Sequence, residues 1–223
     1  MAHGRGLRTE RSQPKLMCCR GEGGTSIEGV PDVAGGAERY RMANERPIIG
    51  LEPGVVRLED PSPRWAEEYA RESARIGAAL GDAIEDMRHI GSTSIPSIPA
   101  KPIIDIMIGL RRIEDVMSTV EPLRVLGYGY RGEFGIPGRH FFVRGEPPRP
   151  ATHHVHVVAC GGDFWKKNSI FRDYLVLHPE LAQEYAEVKR SLAKQFANDR
   201  DGYTRGKDAF IRSVLVRAGW RGE

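Results

Sequence analysis

Three short stretches of the chain carry residue types that do chemistry. In Thr152-His153-His154-Val155-His156, the strand period of two puts His154 and His156 on one face with Thr152, and His153 with Val155 on the other. Two imidazoles at i and i+2 share a metal ion or an anionic ligand, or else serve as ordinary hydrogen-bonded strand histidines. In Lys101-Pro102-Ile103-Ile104-Asp105, one carboxylate stands inside an apolar run. Burying it is costly unless it is paired, hydrogen-bonded or on a metal. Asp105 is therefore a site residue, or else a position on the wet side of a half-covered strand. In Ile90-Gly91-Ser92-Thr93-Ser94, the glycine permits a tight turn and close approach to a ligand. Successive amides with the hydroxyls of Ser92, Thr93 and Ser94 form a phosphate cradle, and the plainer alternative is a turn rich in Ser and Thr. Lys101, Arg139, Arg172 and Lys207 are the cations that would surround such a centre. The stretch from Gly127 through Gly129 to Gly132 matches GxGxxG, but it follows a helical pattern and opens no helix, so no dinucleotide site is read there.

The elements that must hold these residues follow from hydrophobic period. Val55, Val56 and Leu58 predict a short first strand, and Ser62-Pro63 predicts a helix start. Trp65, Tyr69, Ile76 and Leu80 form one helical stripe that Gly81 ends. Residues 86–90 read as a strand running into Gly91. From Ile103 to Leu110 a stronger strand alternates, with Ile104, Ile106, Ile108 and Leu110 on one side and Asp105 and Met107 on the other. Ile113, Val116, Met117 and Val120 mark a helix disturbed at Pro122. Strands are expected at 128–131, 140–144 and 152–159. The last third carries three helical stripes, around Ile170–Leu175, Leu181–Phe196 and Phe210–Leu215. The predicted class is mixed α+β, with a helical C-terminal third.

Composition bounds the functions. The 223 residues carry 33 basic and 30 acidic groups, a net charge of +3 that by itself points to neither nucleic acid nor membrane. No apolar run approaches the roughly 18 residues of a membrane span, and no secretory signal is read. Cys18, Cys19 and Cys160 give neither a zinc spacing nor a disulfide framework. These features point to a cytoplasmic protein and leave its oligomeric state open. Residues 1–47 hold eight glycines without Phe or Trp, too little apolar area to offset ordering entropy, and read as a disordered tail. The change of pattern just after Met42 points to Met42 as the natural start. The folded domain is expected over residues 48–220.

In order along the chain, His89-Ile-Gly-Ser-Thr-Ser-Ile-Pro, Ala100-Lys-Pro-Ile-Ile-Asp105-Ile, Gly127-Tyr128, Arg139-His-Phe-Phe, Thr152-His-His-Val-His-Val and Phe171-Arg-Asp-Tyr-Leu-Val-Leu-His-Pro-Glu180 resemble the GrpB family. Tyr185, Lys189, Tyr203, Lys207 and Phe210-Ile211 extend the resemblance, which covers about residues 52–218. It implies a nucleotidyltransferase-like core sheet, related to that of DNA polymerase beta and flanked by helices. In that superfamily a Gly-Ser pair holds nucleotide phosphates, and carboxylates at i and i+2 of a nearby strand bind two divalent ions. Gly91-Ser92 matches the first element, and Asp105 matches the first carboxylate. Met107 stands where the second belongs, and a thioether does not hold Mg²⁺. The resemblance then leaves three arrangements: Zn²⁺ or Mn²⁺ on Asp105, His154 and His156; His89 joining the ligands; or a site that binds without transfer. The implied activity is transfer of a nucleotidyl or phosphoryl group to a small molecule. The alternative is a non-catalytic nucleotide-binding or folding-accessory domain, like the one fused to dephospho-CoA kinase.

Overall fold

The computed structural model describes residues 47–222. The expectations for a tail and for a start at Met42 concern residues outside that range. Five strands form one sheet: β1 (Ile84–Ile90), β2 (Ile104–Leu110), β3 (Tyr128–Tyr130), β4 (His140–Arg144) and β5 (His153–Ala159), in the order β1-β2-β5-β4-β3. β2 runs parallel to β5, and the other neighbours are antiparallel. Helices follow the chain as α1 (Arg64–Leu80), α2 (Met117–Val125), α3 (Asp163–Leu177), α4 (Pro179–Gln195), α5 (Arg200–Gly206) and α6 (Asp208–Arg217). This is the mixed α+β class, with a helical C-terminal third. Among the described residues no helix is long and apolar enough to cross a membrane.

The alternation in β2 decides how the layers form. Its Ile104, Ile106, Ile108 and Leu110 join Val155 and Val157 of β5, with Trp65 and Ile76 of α1 and Leu123 of α2, in the main core. The same alternation turns Asp105 and Met107 to the opposite face. There a second apolar cluster forms among the C-terminal helices, from Leu175, Leu181, Tyr185 and Val214. Ile95 and Ile98, just after the Gly91 turn, belong to that helical cluster, so the turn is pinned between sheet and helices.

One expectation is corrected, and two helices need a local account. Val55–Leu58 forms no strand. That region is held by two isolated bridges, Leu51 to Ala151 and Glu59 to Ala100, and by the Val56 amide on Ala197 O. It is a strap, and β-branched residues alone do not make a ladder partner. Pro122 does not end α2, which continues to Val125. It is the sixth of the nine residues of that helix, and its missing N–H removes a single bond. Helix α5 has no hydrophobic period to announce it. It is started by Asp199, whose side chain accepts from the Gly202 amide at 2.8 Å.

A buried charge also sits in the main core. Glu72 of α1 is 2% exposed. Its carboxylate accepts from Tyr128 Oη at 3.0 Å, Arg144 Nη1 at 2.9 Å and Arg75 Nη1 at 2.7 Å, tying α1 to β3 and β4. Removing one member of such a network strands the others in a low dielectric. Glu72→Ala is expected to lower unfolding free energy in urea by about 3 kcal/mol. A loss below about 0.5 kcal/mol, the usual range for surface substitutions, would show that the network carries no weight.

Candidate functional site

The parallel register of β2 and β5 sets Asp105 beside His154 and Met107 beside His156. Because side chains on neighbouring strands share a face at matched positions, the carboxylate and both imidazoles converge. Asp105 Oδ1 lies 3.1 Å from His154 Nδ1 and 3.6 Å from His156 Nε2. Burial pushes the Asp105 carboxyl up, but the two imidazoles outweigh it and hold the group well below the usual carboxylate range. An ionised carboxylate only accepts hydrogen bonds. His154 therefore donates from Nδ1 to Asp105 Oδ1. His156 is held by Phe141 and Phe164, with ring centroids 5.1 and 5.5 Å away. Burial pushes its pKa down.

Gly91 fits closely against this group. Its φ is 70°, and a Cβ there would stand 2.5 Å from Asp105 Oδ2, so glycine is required both by backbone and by space. The hydroxyls of the turn are largely committed within the protein. Thr93 Oγ1 donates to Ile103 O at 3.3 Å and lies 3.0 Å from His89 Nε2. Ser94 Oγ donates to Gly91 O at 2.6 Å, and Ser92 pairs with the Tyr185 hydroxyl. The expected cradle of three free hydroxyls is thus corrected: Thr93 and Ser94 shape the turn.

Cations gather on the helical side. Lys101 and Lys207 lie over the Tyr203 ring, at 5.4 and 4.7 Å. Lys189 of α4 is 1% exposed, donates to Pro99 O and lies 4.9 Å from the Tyr185 centroid. The partners of these lysines are rings and a carbonyl rather than carboxylates. Burial, reinforced by the neighbouring cations, pushes Lys101 and Lys189 down to about 7, and burial also lowers Lys207 and Arg200. Asp105 is the carboxylate that acts on Lys101, Arg200 and Lys207 together.

The other two expected cations do not join this group. Arg139 is 7% exposed beside His156, and its Nη2 is spent on Glu133 O at 3.0 Å and Phe134 O at 2.9 Å. Arg172 is bound to Asp173 at 2.6 Å and lines a separate cavity with His89 and Tyr69. Lys189 and Arg200 take their places and were not among the expected site residues. Lys189 carries a legible signal, since it lies four residues after Tyr185 on the apolar stripe of α4. Arg200 carries none.

The residues expected to hold a metal stand as follows. Met107 is fully buried, packed with Ile90, Val158 and Trp165, so the i+2 position offers no oxygen to a hard cation. Asp105 Oδ1 is hydrogen-bonded to His154 Nδ1 and faces His156 Nε2 at 3.6 Å. Among the described residues no three His, Cys, Asp or Glu side chains are arranged to hold a metal ion. The centre therefore lacks the second carboxylate that a two-Mg²⁺ site uses.

Two outcomes follow. Gly91→Ala forces a side chain against Asp105, and is expected to cost about 1–2 kcal/mol from the left-handed backbone alone. It should also shift the His154 and His156 ring resonances, and unchanged resonances would show that the turn does not position the carboxylate. In addition, burial holds His89 and His153 down to about 4, below the 6.5 of an unfolded chain. Their neutral rings add stability that is complete above pH 6.5 and is lost as pH falls toward 4. The urea midpoint should drop between pH 7 and 5, and His153→Gln should flatten that drop. Equal slopes in both proteins would remove His153 from the account.

Comparison with known proteins gives a consistent relationship. The family model described as "GrpB protein" matches residues 55–217. The chain is 43% identical over 155 residues to UPF0157 protein YqkA of Bacillus subtilis, covering 70% of this chain and 45% of that protein; it thus spans less than half of that relative's length. It is 27% identical over 188 residues to a dephospho-CoA kinase of Mycolicibacterium paratuberculosis, covering 73% of this chain and 46% of that one. Among solved structures, the conserved protein GrpB from Enterococcus faecalis aligns with a TM-score of 0.66 at 34% identity, over 73% of this chain and 96% of that one.

Proposed function

The chain belongs to the GrpB family, and on that premise we propose that it binds a phosphate-bearing small molecule of the nucleotide class and transfers its phosphoryl or nucleotidyl group. The observation that carries this reading is the cation group of Lys101, Lys189, Arg200 and Lys207, of which Lys189 is buried and the others half-buried, with the half-buried Asp105 acting on three of them. Uncompensated buried cations are expensive, and a phosphate offsets that cost directly. Gly91 and Ser92 border the carboxylate end of the same centre.

Asp105 orients His154 and fixes its tautomer, as the carboxylate does in other Asp-His pairs. His154 Nε2 then takes the proton of an acceptor hydroxyl. The acceptor oxygen bonds to phosphorus, the bond from phosphorus to the leaving oxygen breaks, and the cations neutralise charge on the departing phosphate. No step is routed through a metal. A second reading, binding without turnover, is favoured by Met107, which removes the second carboxylate of the superfamily pattern. It would make the domain an accessory one, like the part matched in the dephospho-CoA kinase.

Calorimetry with ATP, CTP, GTP and UTP tests both readings. At least one nucleotide is expected to bind, and a chelator should leave that binding intact. Lys101→Met and Lys207→Met should each weaken it at least tenfold, the scale of one charge-assisted hydrogen bond. The lowered lysines add a pH signature. At pH 8 Lys101 and Lys189 are largely neutral in the free protein, and an anion raises their pKa, so binding takes up protons. Affinity should therefore fall from pH 7 to 9, and the measured heat should depend on buffer ionisation. His154→Ala should keep binding and lose turnover if transfer occurs. Absence of binding by all four nucleotides would end the reading.

A further inference from the structure

A cavity of about 300 Å³ opens at the outer edge of β1, lined among others by Tyr69, Arg88, His89, Ser169, Arg172 and Asp173. β1 is an edge strand, and Tyr69 covers part of that edge. Its hydroxyl donates to Met87 O at 3.1 Å and takes the His89 amide. Its ring stacks on the His89 imidazole with centroids 4.7 Å apart and 8° between planes. The stack makes a flat wall.

Across from this wall, α3 presents two polar atoms without partners. Ser169 is 8% exposed, and its Oγ is buried and unbonded. A serine inside a helix ordinarily returns its hydroxyl to the carbonyl one turn back, and Ser169 does not. Arg172 Nε is likewise buried without a partner. Asp173 takes only Nη1, which leaves the side-on edge, Nε with Nη2, unpaired. That edge is the fork that grips a carboxylate through two parallel bonds. Residues three apart on a helix are neighbours, so hydroxyl and fork stand side by side.

We propose that this cavity binds a small carboxylate, held by the side-on edge of Arg172 and the hydroxyl of Ser169, with its carbon skeleton against the Tyr69–His89 stack. The Arg172 fork only donates and the Ser169 hydroxyl can donate beside it, so a ligand that brings acceptors satisfies both. The Arg172–Asp173 pair is exposed at 40% and 50%, where such pairs are weak and leave Arg172 available. Arg88 is engaged elsewhere, with Asp86 at 3.0 Å and over Trp165 at 4.9 Å. A volume at the small end of ligand cavities suits an acid of a few carbons. The inference does not depend on the nucleotide reading. The two sites meet only through His89, whose Nε2 faces Thr93 of the Gly91 turn.

Acetate, succinate and inorganic phosphate titrated into the full chain in chloride buffer provide the test, read by calorimetry and by the Tyr69 and His89 ring resonances. A carboxylate is expected to bind at millimolar concentration and to move both rings. Ser169→Ala and Arg172→Gln should each weaken it about tenfold. Arg172→Lys should also lose affinity, because a point charge lacks the fork. Lys207→Met should change nothing here, while it weakens nucleotide binding. Unchanged urea midpoints will establish that the variants fold. The proposal is overturned if neither carboxylate binds, if the α3 variants bind as wild type does, if phosphate alone moves the rings, or if Lys207→Met abolishes carboxylate binding.

Discussion

The carboxylate of Asp105 must be satisfied at a place where the strand carrying it is otherwise apolar. Neighbouring structure is arranged around that requirement. The parallel pairing of β2 with β5 brings His154 and His156 alongside in register. The Gly91 turn closes against Oδ2, with no room for a side chain. The turn in turn sends Ile95 and Ile98 into the helical cluster, so the helices are docked by the same segment that borders the carboxylate. A shift of register by one residue would send Asp105 into the main core and Ile104 to the polar face. The fold and the centre therefore stand or fall on the same pairing.

Charge gathers in two groups, one on each side of the sheet. In the main core, Glu72 is met by Tyr128, Arg75 and Arg144, and the anion is fully partnered. On the helical side, the lysines at 101, 189 and 207 have rings and a carbonyl for company, and their protonation is suppressed by burial. The first arrangement closes on itself and serves stability. The second is incomplete in the protein alone, which is the condition expected of a binding site rather than of a structural network.

Elements with a clean period were legible in the sequence. The alternation of Ile104, Ile106 and Ile108 against Asp105 and Met107 placed the carboxylate on the correct face, and the same rule paired His154 with His156. Buried charges were harder to read. Glu72 lies on the stripe of Trp65, Tyr69 and Ile76, and Lys189 on that of Leu181, Tyr185 and Leu192. A period count passes over both because it registers only apolar residues. A charged residue on such a stripe is itself the signal, since it must find partners or a ligand when the stripe is buried. Arg200 gave no such sign, because α5 spans only seven residues and is fixed by its Asp199 cap and by tertiary contacts. The separation of Arg172 from Lys207 depends on how α3 and α6 pack, and neither local spacing nor composition encodes that.

Met107 and the buried lysines are best understood together. In the two-ion arrangement of the superfamily pattern, two or three carboxylates recruit mobile cations, and those cations neutralise phosphate. Here the second carboxylate is replaced by a thioether sealed under Trp165, and the remaining one is saturated by imidazoles. Positive charge is instead fixed to the chain, on Lys101, Lys189, Arg200 and Lys207. A site with fewer acids needs no ion to cancel them, and lysines that take up a proton as a phosphate arrives can face it with little competition from carboxylates. Under the proposed reading the loss at Met107 and the gain on the helices are one electrostatic exchange. It keeps affinity for a phosphate while removing the ions that would have activated the attacking oxygen. Any turnover must then draw its proton acceptor from the Asp105–His154 pair.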